Sequence, residues 1–320
     1  MNTYPYPFPY FKGALWTDNS AISSWQECPR EYEYESLFRR KATFTAAALN
    51  YGKGMHVALA ALALSCGNTY TSADFAKLSK LLDDHFDKNL QPIDDHRTPA
   101  LAKETLWRYL KTYEVEPWTI LEANGFPMVE RLVWSPLPIT FDNIPINFYG
   151  LIDLVVQDAS KSVWIVDHKT TSMLGTMFDF DMQMTGQMKG YCWLFNQCFG
   201  KMPMGYIVDA IRSLAPSDRA LADSAKLEAW WREQFRRLPF YVDAEQVKEW
   251  YDTTLITLEE MISHFEKSHW RMNTKSCVGK FGRCQYFDVC SLPQHQRLVS
   301  LNSNFFQDNT WTEENLKEKL

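Results

Sequence analysis

Gly150-Leu-Ile-Asp153-Leu-Val-Val156 and Ser162-Val-Trp-Ile-Val-Asp167-His-Lys169-Thr-Thr171 are the two runs whose pairing decides the fold. Both are apolar and rich in β-branched residues, and polar residues bound them, which is how strands read in a sequence. Side chains alternate along a strand, so Leu151, Asp153 and Val155 share one face of the first run, and Val163, Ile165, Asp167 and Lys169 share one face of the second. With Asp158 to Ser162 as a hairpin loop centred on Ser160, the two aspartates lie opposite each other, their Cβ atoms roughly 5 Å apart. Two carboxylates that close are unfavourable unless a positive charge sits between them. A divalent cation meets that need, and Mg²⁺ suits one or two carboxylates with waters and a substrate phosphate. Lys169 points the same way, its ammonium suited to stabilising transition-state charge or positioning an attacking water. This is the equipment of phosphodiester hydrolysis. A plain ion pair on a solvated sheet face is the alternative, and Ile152, Leu154, Trp164 and Val166 argue against it by predicting that both faces are covered.

Outward from this hairpin the texture is helical on the N-terminal side. Residues 1–20 read as an extended, irregular arm held open by X-Pro steps. Helices are predicted from Ser20 or Ser23 to about Arg40, over 47–66, over 73–90 and over 100–115. Residues 127–135 predict a further strand. After the hairpin come a helix over 180–197, a strand near 204–212, and helices over 218–238 and 243–268. Residues 271–300 look loop-like, and 301–320 a tail with a short charged helix. The domain reading is therefore an arm at 1–20, a helical region at 21–125, an α/β core at 126–270, a Cys-rich segment at 271–300 and a tail. No P-loop sequence accompanies it, so no motor is built in.

The chain has 320 residues, 46% of them hydrophobic and 22% charged, which suits one large or two smaller domains with a substantial core. Its net charge of −6 argues against a protein that coats nucleic acid by bulk electrostatics, but not against an enzyme meeting it in a local groove. Aromatic residues reach 15%, enough for some rings to stack on unpaired bases. Met1–Tyr10 carries no basic start or apolar run, and no stretch is long enough for a membrane span, so a cytoplasmic protein is expected. Seven cysteines, an odd number, make a pure disulfide framework unfavoured.

Asp153, followed by Asp167-His-Lys169 after an apolar strand, resembles the GxxD…DxK signature of RecB-like PD-(D/E)XK nucleases, a superfamily that includes AddB-type and CRISPR-associated iron–sulfur exonucleases. The resemblance runs from about residue 20 to 292. It implies a restriction-endonuclease-like core, a central mixed sheet flanked by helices, with Mg²⁺ or Mn²⁺ at the site. Gly52-Lys-Gly54-Met-His56 is similar to the upstream helix that supplies a metal-binding His. Glu130 matches a further acidic position. Gln187 and Tyr191 match a Q-x₃-Y motif that in the family faces the site and DNA. His168 faces away by strand alternation, leaving its carbonyl rather than its ring toward the metal.

Cys277-x₆-Cys284-x₅-Cys290 gathers three thiols in a loop-rich stretch, and Cys28-Pro29 supplies a fourth far upstream. Such a set suits a [4Fe–4S] cluster or a structural zinc. AddB-type nucleases place one early and three late cysteines around an iron–sulfur cluster, and their late spacing is C-x₂-C-x₅-C, so the x₆ gap here departs from the pattern. Cys66, Cys192 and Cys198 read as core residues. The function expected is a metal-dependent DNA nuclease, a single-strand exonuclease in recombination, repair or end processing, with a helicase or recombination protein as partner. A non-catalytic iron–sulfur DNA-binding scaffold and a nuclease acting on RNA are the competing readings.

Overall fold

The computed structural model describes residues 4–43, 47–65, 70–88, 95–279 and 282–320. It begins with strands β1 (Tyr10–Phe11) and β2 (Ala14–Thr17). Asp18 caps α1 (Asn19–Glu27) by accepting the Ala21 N–H at 2.8 Å. Cys28 separates it from α2 (Pro29–Tyr32), which winds into a π turn at Glu33–Leu37. Strand β3 (Arg40–Ala42) precedes helices α3 (Ala47–Ser65), α4 (Ser72–Lys88) and α5 (Pro99–Thr112). Short strands β4 (Thr119–Ile120), β5 (Glu122–Ala123) and β6 (Phe126–Pro127) lead to the long pair β7 (Val129–Phe141) and β8 (Ile144–Gln157). Next come β9 (Val163–Thr171), α6 (Thr176–Met184), α7 (Gly186–Phe199) and β10 (Gly205–Arg212). Helices α8 (Asp218–Leu221) and α9 (Ser224–Arg232), strand β11 (Phe235–Tyr241) and helix α10 (Ala244–Glu266) follow. The C-terminal part holds β12 (Val278–Gly279), β13 (Gly282–Arg283), α11 (Phe287–Ser291), α12 (Gln294–Leu301), β14 (Phe306–Asp308) and α13 (Trp311–Lys319).

The main sheet runs β1-β2-β8-β9-β10-β11, with β7 and β4 also on β8. It is mixed: β2 joins β8 and β10 joins β9 in parallel, while β7, β9 and β11 pair antiparallel. Along one edge β8 changes partner, from β2 at Ile146–Phe148 to β9 from Leu154 onward. Among the described residues no strand pairs with 149–153 on that edge, so the sheet opens there. Helices α7 and α10 cover one face, where Val155, Ile165, Leu194 and Leu258 are fully buried. Helices α3 to α5 cover the other, over Trp164, Val166 and Ile211. Each such side chain contributes about 1.5–3 kcal/mol on burial, and covering on both faces is what the apolar neighbours of the aspartates predicted.

Several elements differ from their sequence reading. The helix expected from residue 20 to 40 breaks at Cys28, which is extended because a residue before proline is driven from the helical region. The N-terminal segment is not wholly irregular, since β2 enters the main sheet. The helix expected over 180–197 starts earlier and divides at Thr185. The reading of 218–238 as helix fails at its end: β11 pairs with β10 along its length, and Pro239 is tolerated because β11 is an edge. The tail is docked, with Leu316 fully buried against Ala14, Trp16 and Tyr149. Cys66 lies outside the described residues.

Candidate active site

The opening in β8 gathers the residues the sequence singled out. The β8–β9 register pairs Leu154 with Val166, so the next pair across the hairpin is Asp153 and Asp167, where the ladder ends. In place of a backbone partner, Asp153 Oδ2 accepts the His168 N–H at 2.9 Å. The loop closes as expected: Asp158 Oδ1 accepts the Ser160 and Ser162 N–H groups at 2.9 and 3.0 Å. Gly150 has a steric purpose, because a Cβ there would stand 2.6 Å from Cε1 of Tyr191. On the opposite face, Gly52 lets α3 approach β9, since a Cβ on it would meet the Thr170 hydroxyl at 2.9 Å. That approach carries His56 to the sheet.

Two side-chain groups result. His56, Glu130 and Asp153 each offer one donor atom, all within 4.8 Å of one another, with His56 Nδ1 3.3 Å from Asp153 Oδ2. Glu130 reaches this position with φ +48°, a left-handed backbone that interrupts β7 opposite Asp153. Such strain in a non-glycine residue concentrates at functional sites. In the second group Lys169 Nζ lies 2.9 Å from Asp167 Oδ2 and donates to Gln187 Oε1 at 3.0 Å. Gln187 Nε2 then donates to the Tyr191 hydroxyl at 2.8 Å. Asp167 is thus held by Lys169 and is not one of the trio. His56, Glu130, Asp153, Lys169 and Gln187 line one cavity of about 770 Å³, with Leu49 and Val57 exposed beside it. The His168 ring turns away, its Nδ1 3.2 Å from Asp209 Oδ2.

The electrostatics of the site are those of crowded carboxylates. Burial, then the charge of Asp153, push Glu130 up to about 7. Burial raises Asp167 as well, against the pull of Lys169. Lys169 is held above the usual lysine range by Asp167 in spite of its burial. Two carboxylates and an imidazole within reach of one atom form a donor set that suits a divalent cation, and the rise at Glu130 is the cost a cation there would remove.

Glu130 therefore makes a stability prediction for the protein in chelator. Its folded-state value lies above the ordinary 4.5. Below about pH 4.5 the carboxyl is protonated in both states and costs nothing; the penalty grows as pH rises and is complete above about 7, reaching up to about 3 kcal/mol. Glu130→Gln is expected to melt with the parent at pH 4.5 and well above it at pH 8, and an equal gain at both pH values rejects the assignment.

A separate group of thiols lies where the start of the chain meets its C-terminal segment. Cys28 is buried, and Cys277, Cys284 and Cys290 are half-buried. Cys28 and Cys290 act on the ionisation of Cys284, and Cys28 and Cys277 on that of Cys290. Burial pushes Cys284 up to about 12. Backbone N–H groups point at two of the sulfurs, Asn273 N–H at Cys28 Sγ (3.4 Å) and Tyr286 N–H at Cys284 Sγ (3.5 Å). Cys192 is a core residue, as expected, but Cys198 is exposed near the end of α7 and donates to the Trp134 carbonyl at 3.3 Å. The sequence reading passed over Asp209, Arg237 and Glu116 behind the site. An ionisable residue inside the apolar run Tyr206-Ile-Val-Asp209-Ala-Ile was the available signal.

A mixed sheet with a paired Asp–Lys and a carboxylate–imidazole group at one opening defines a nuclease-type hydrolase. The chain matches the family model of the PD-(D/E)XK nuclease superfamily over residues 19–291, and it belongs to that superfamily. Among solved structures, one described as a candidate exonuclease from Eubacterium rectale is similar over 90% of this chain and 93% of its own, at 11% identity and a TM-score of 0.47. SSO0001 is similar over 78% of each chain, at 10% identity and a TM-score of 0.31. The comparison with curated proteins gave no match. Among the described residues no helix is long and apolar enough to cross a membrane.

Proposed function

We propose that the chain is a metal-dependent DNA nuclease that degrades single strands from free ends, with Asp153, Asp167 and Lys169 as its catalytic set. The observation that carries this reading is the unbroken polar chain from Asp167 through Lys169 and Gln187 to Tyr191 beside the His56, Glu130 and Asp153 donors. His56, Glu130 and Asp153 would hold the cation, with Asp167 alongside. When bound, the metal polarises the phosphodiester and activates water. The chain's own residues do the rest. Lys169, kept protonated by Asp167, presents a fixed positive charge to the oxygens that gain charge in the transition state. Gln187 fixes the direction of that ammonium, and Tyr191 fixes Gln187. A charge of −6 and the exposed Leu49 and Val57 at the cavity favour an unpaired strand, whose bases are apolar on their faces, over a duplex gripped by its phosphates. A non-catalytic scaffold has no use for so complete a set.

In this reading residues 21–125 present Cys28 and His56 to a core at 126–270, and 271–300 close around a [4Fe–4S] cluster held by Cys28, Cys277, Cys284 and Cys290. Support for one shared centre is the mutual influence of the thiols, Cys28 and Cys290 on the ionisation of Cys284 and Cys28 and Cys277 on that of Cys290; four such ligands suit a cluster. The nuclease reading is tested with end-labelled linear and covalently closed single strands, incubated with Mg²⁺, Mn²⁺ or EDTA. Linear DNA is expected to be degraded with metal and the circle spared. Equal cutting of the circle makes the enzyme an endonuclease, preference for linear RNA changes the substrate, and cleavage in EDTA rejects the mechanism.

A further inference from the structure

We infer that His168, Asp209 and Arg237 form a positioning rung behind the site, which aims Asp167, Lys169 and the His168 N–H at the opening. The inference rests on the catalytic reading of Asp153, Asp167 and Lys169. The β9–β10 register sets His168 beside Asp209, and the β10–β11 register sets Asp209 beside Arg237. Three polar side chains therefore stand in line across three adjacent strands, on the face opposite Lys169. His168 Nδ1 lies 3.2 Å from Asp209 Oδ2, and Arg237 Nε lies 3.6 Å from Asp209 Oδ1.

The rung is anchored to the helical layer. Arg237 grips Glu116 with two nitrogens, at 2.6 and 2.8 Å. Its guanidinium lies 3.6 Å from the Tyr113 ring centroid and 4.2 Å from that of Trp118. The Tyr109 hydroxyl donates to Asp209 and accepts from Arg237, and the Tyr70 hydroxyl donates to Glu116 at 2.6 Å. Asp209 is fully buried in a strand that is apolar around it, from Tyr206 to Ile211. Apolar residues in place of the whole buried group would avoid its desolvation cost, so stability alone gives little reason for charges here.

Geometry supplies another reason. Beyond Val166 the β8–β9 ladder has ended, so residues 167–169 have a strand partner on the β10 side alone. On the open side the tie is His168 N–H to Asp153 Oδ2. One residue thus joins both anchors, its backbone to Asp153 and its ring to Asp209. Loss of the ring contact frees the stretch that carries Asp167 and Lys169 to twist, while the substrate cleft keeps its walls.

His168→Phe, which keeps a flat ring but has no polar atom for Asp209, is the test, with His168→Gln as the conservative variant. At saturating Mn²⁺, His168→Phe is expected to lose roughly 10- to 100-fold in kcat, with KM for a single strand little changed, and His168→Gln to recover most of the loss. A folded His168→Phe protein with parental kcat, or His168→Gln as slow as His168→Phe, overturns the rung. Should His168→Phe not fold, Tyr109→Phe removes one hydroxyl from Asp209 and keeps the ring; parental kcat there overturns the proposal equally. Asp167→Ala, assayed in parallel, separates the two levels: if it cleaves normally the catalytic reading has failed, and if it is inert beside a normal His168→Phe the rung has failed.

Discussion

Asp167→Ala and Lys169→Ala are each expected to leave folded proteins that cleave DNA at least roughly 100- to 1,000-fold more slowly than the parent. The magnitude follows from where the charge sits. Lys169 is fixed at both ends of its reach, 2.9 Å from Asp167 and 3.0 Å from Gln187, so its ammonium needs no reorganisation as charge develops on a phosphate. A free cation in solution gives no equivalent. Folding survives for separate reasons. Asp167 already leans toward its protonated form through burial, so loss of Lys169 leaves a carboxyl that takes up a proton instead of an uncompensated charge. Removing Asp167 relieves crowding with Asp153, and Lys169 keeps Gln187. Single-turnover cleavage of an end-labelled strand, with melting curves on the same preparations, measures both effects. Asp167→Ala cleaving at the parental rate sinks the assignment. Lys169→Ala with higher KM and unchanged kcat would make Lys169 a ground-state binding residue.

How much of this was legible depends on the range of the forces involved. The hairpin was, because period-two alternation and the turn at Asp158–Ser162 are local, and the register they set carries Asp153 opposite Asp167. Gln187 and Tyr191 were legible as an i, i+4 pair on one helix, and they do bond to each other. The end of the 218–238 segment was not, since Trp230, Trp231 and Phe235 fall at helical spacing and the pairing of β11 with β10 is a tertiary fact. The same holds for β2, whose residues Leu15 to Thr17 look like part of a loop until β8 offers an edge. The grouping of the acidic side chains was harder still. Strand alternation sets Asp153 and Asp167 opposite each other, whereas Asp153 lies nearest His56 and Glu130 and Asp167 pairs with Lys169. The rung at Asp209 depends on three strands distant in sequence, and a charged residue in an apolar run was its lone trace.

On the proposed four-cysteine centre, Ser in place of Cys28 or Cys284 is expected to remove the metal and, with it, much of the protein's stability before any effect on chemistry. Cys28 sits where α1 ends and α2 begins, and the other three proposed ligands lie in the C-terminal segment, so such a centre would close a loop of about 250 residues. By the chain-entropy relation used for cross-links, such a closure removes on the order of 5 kcal/mol of unfolded-state freedom. Other contacts run along the same seam: Asn273 and Ser276 bond the Glu27 carbonyl at 2.7 and 3.2 Å, the Arg30 N–H bonds the Arg271 carbonyl at 3.1 Å, and Tyr286 packs on Tyr34 with ring centroids 5.3 Å apart. Deprived of metal, Cys284 is a thiol, raised to about 12 by burial, and not a thiolate. Anaerobically purified parent is expected to be brown, with broad visible absorption and near four irons per chain. The Ser variants are expected to be colourless and to melt well below it. Residual cleavage in the fraction that remains folded would show the centre to be a staple remote from Lys169. A colourless parent with one zinc keeps the staple and removes the cluster. Stoichiometric metal in both Ser variants would end the four-cysteine assignment, because neither sulfur could then be a ligand.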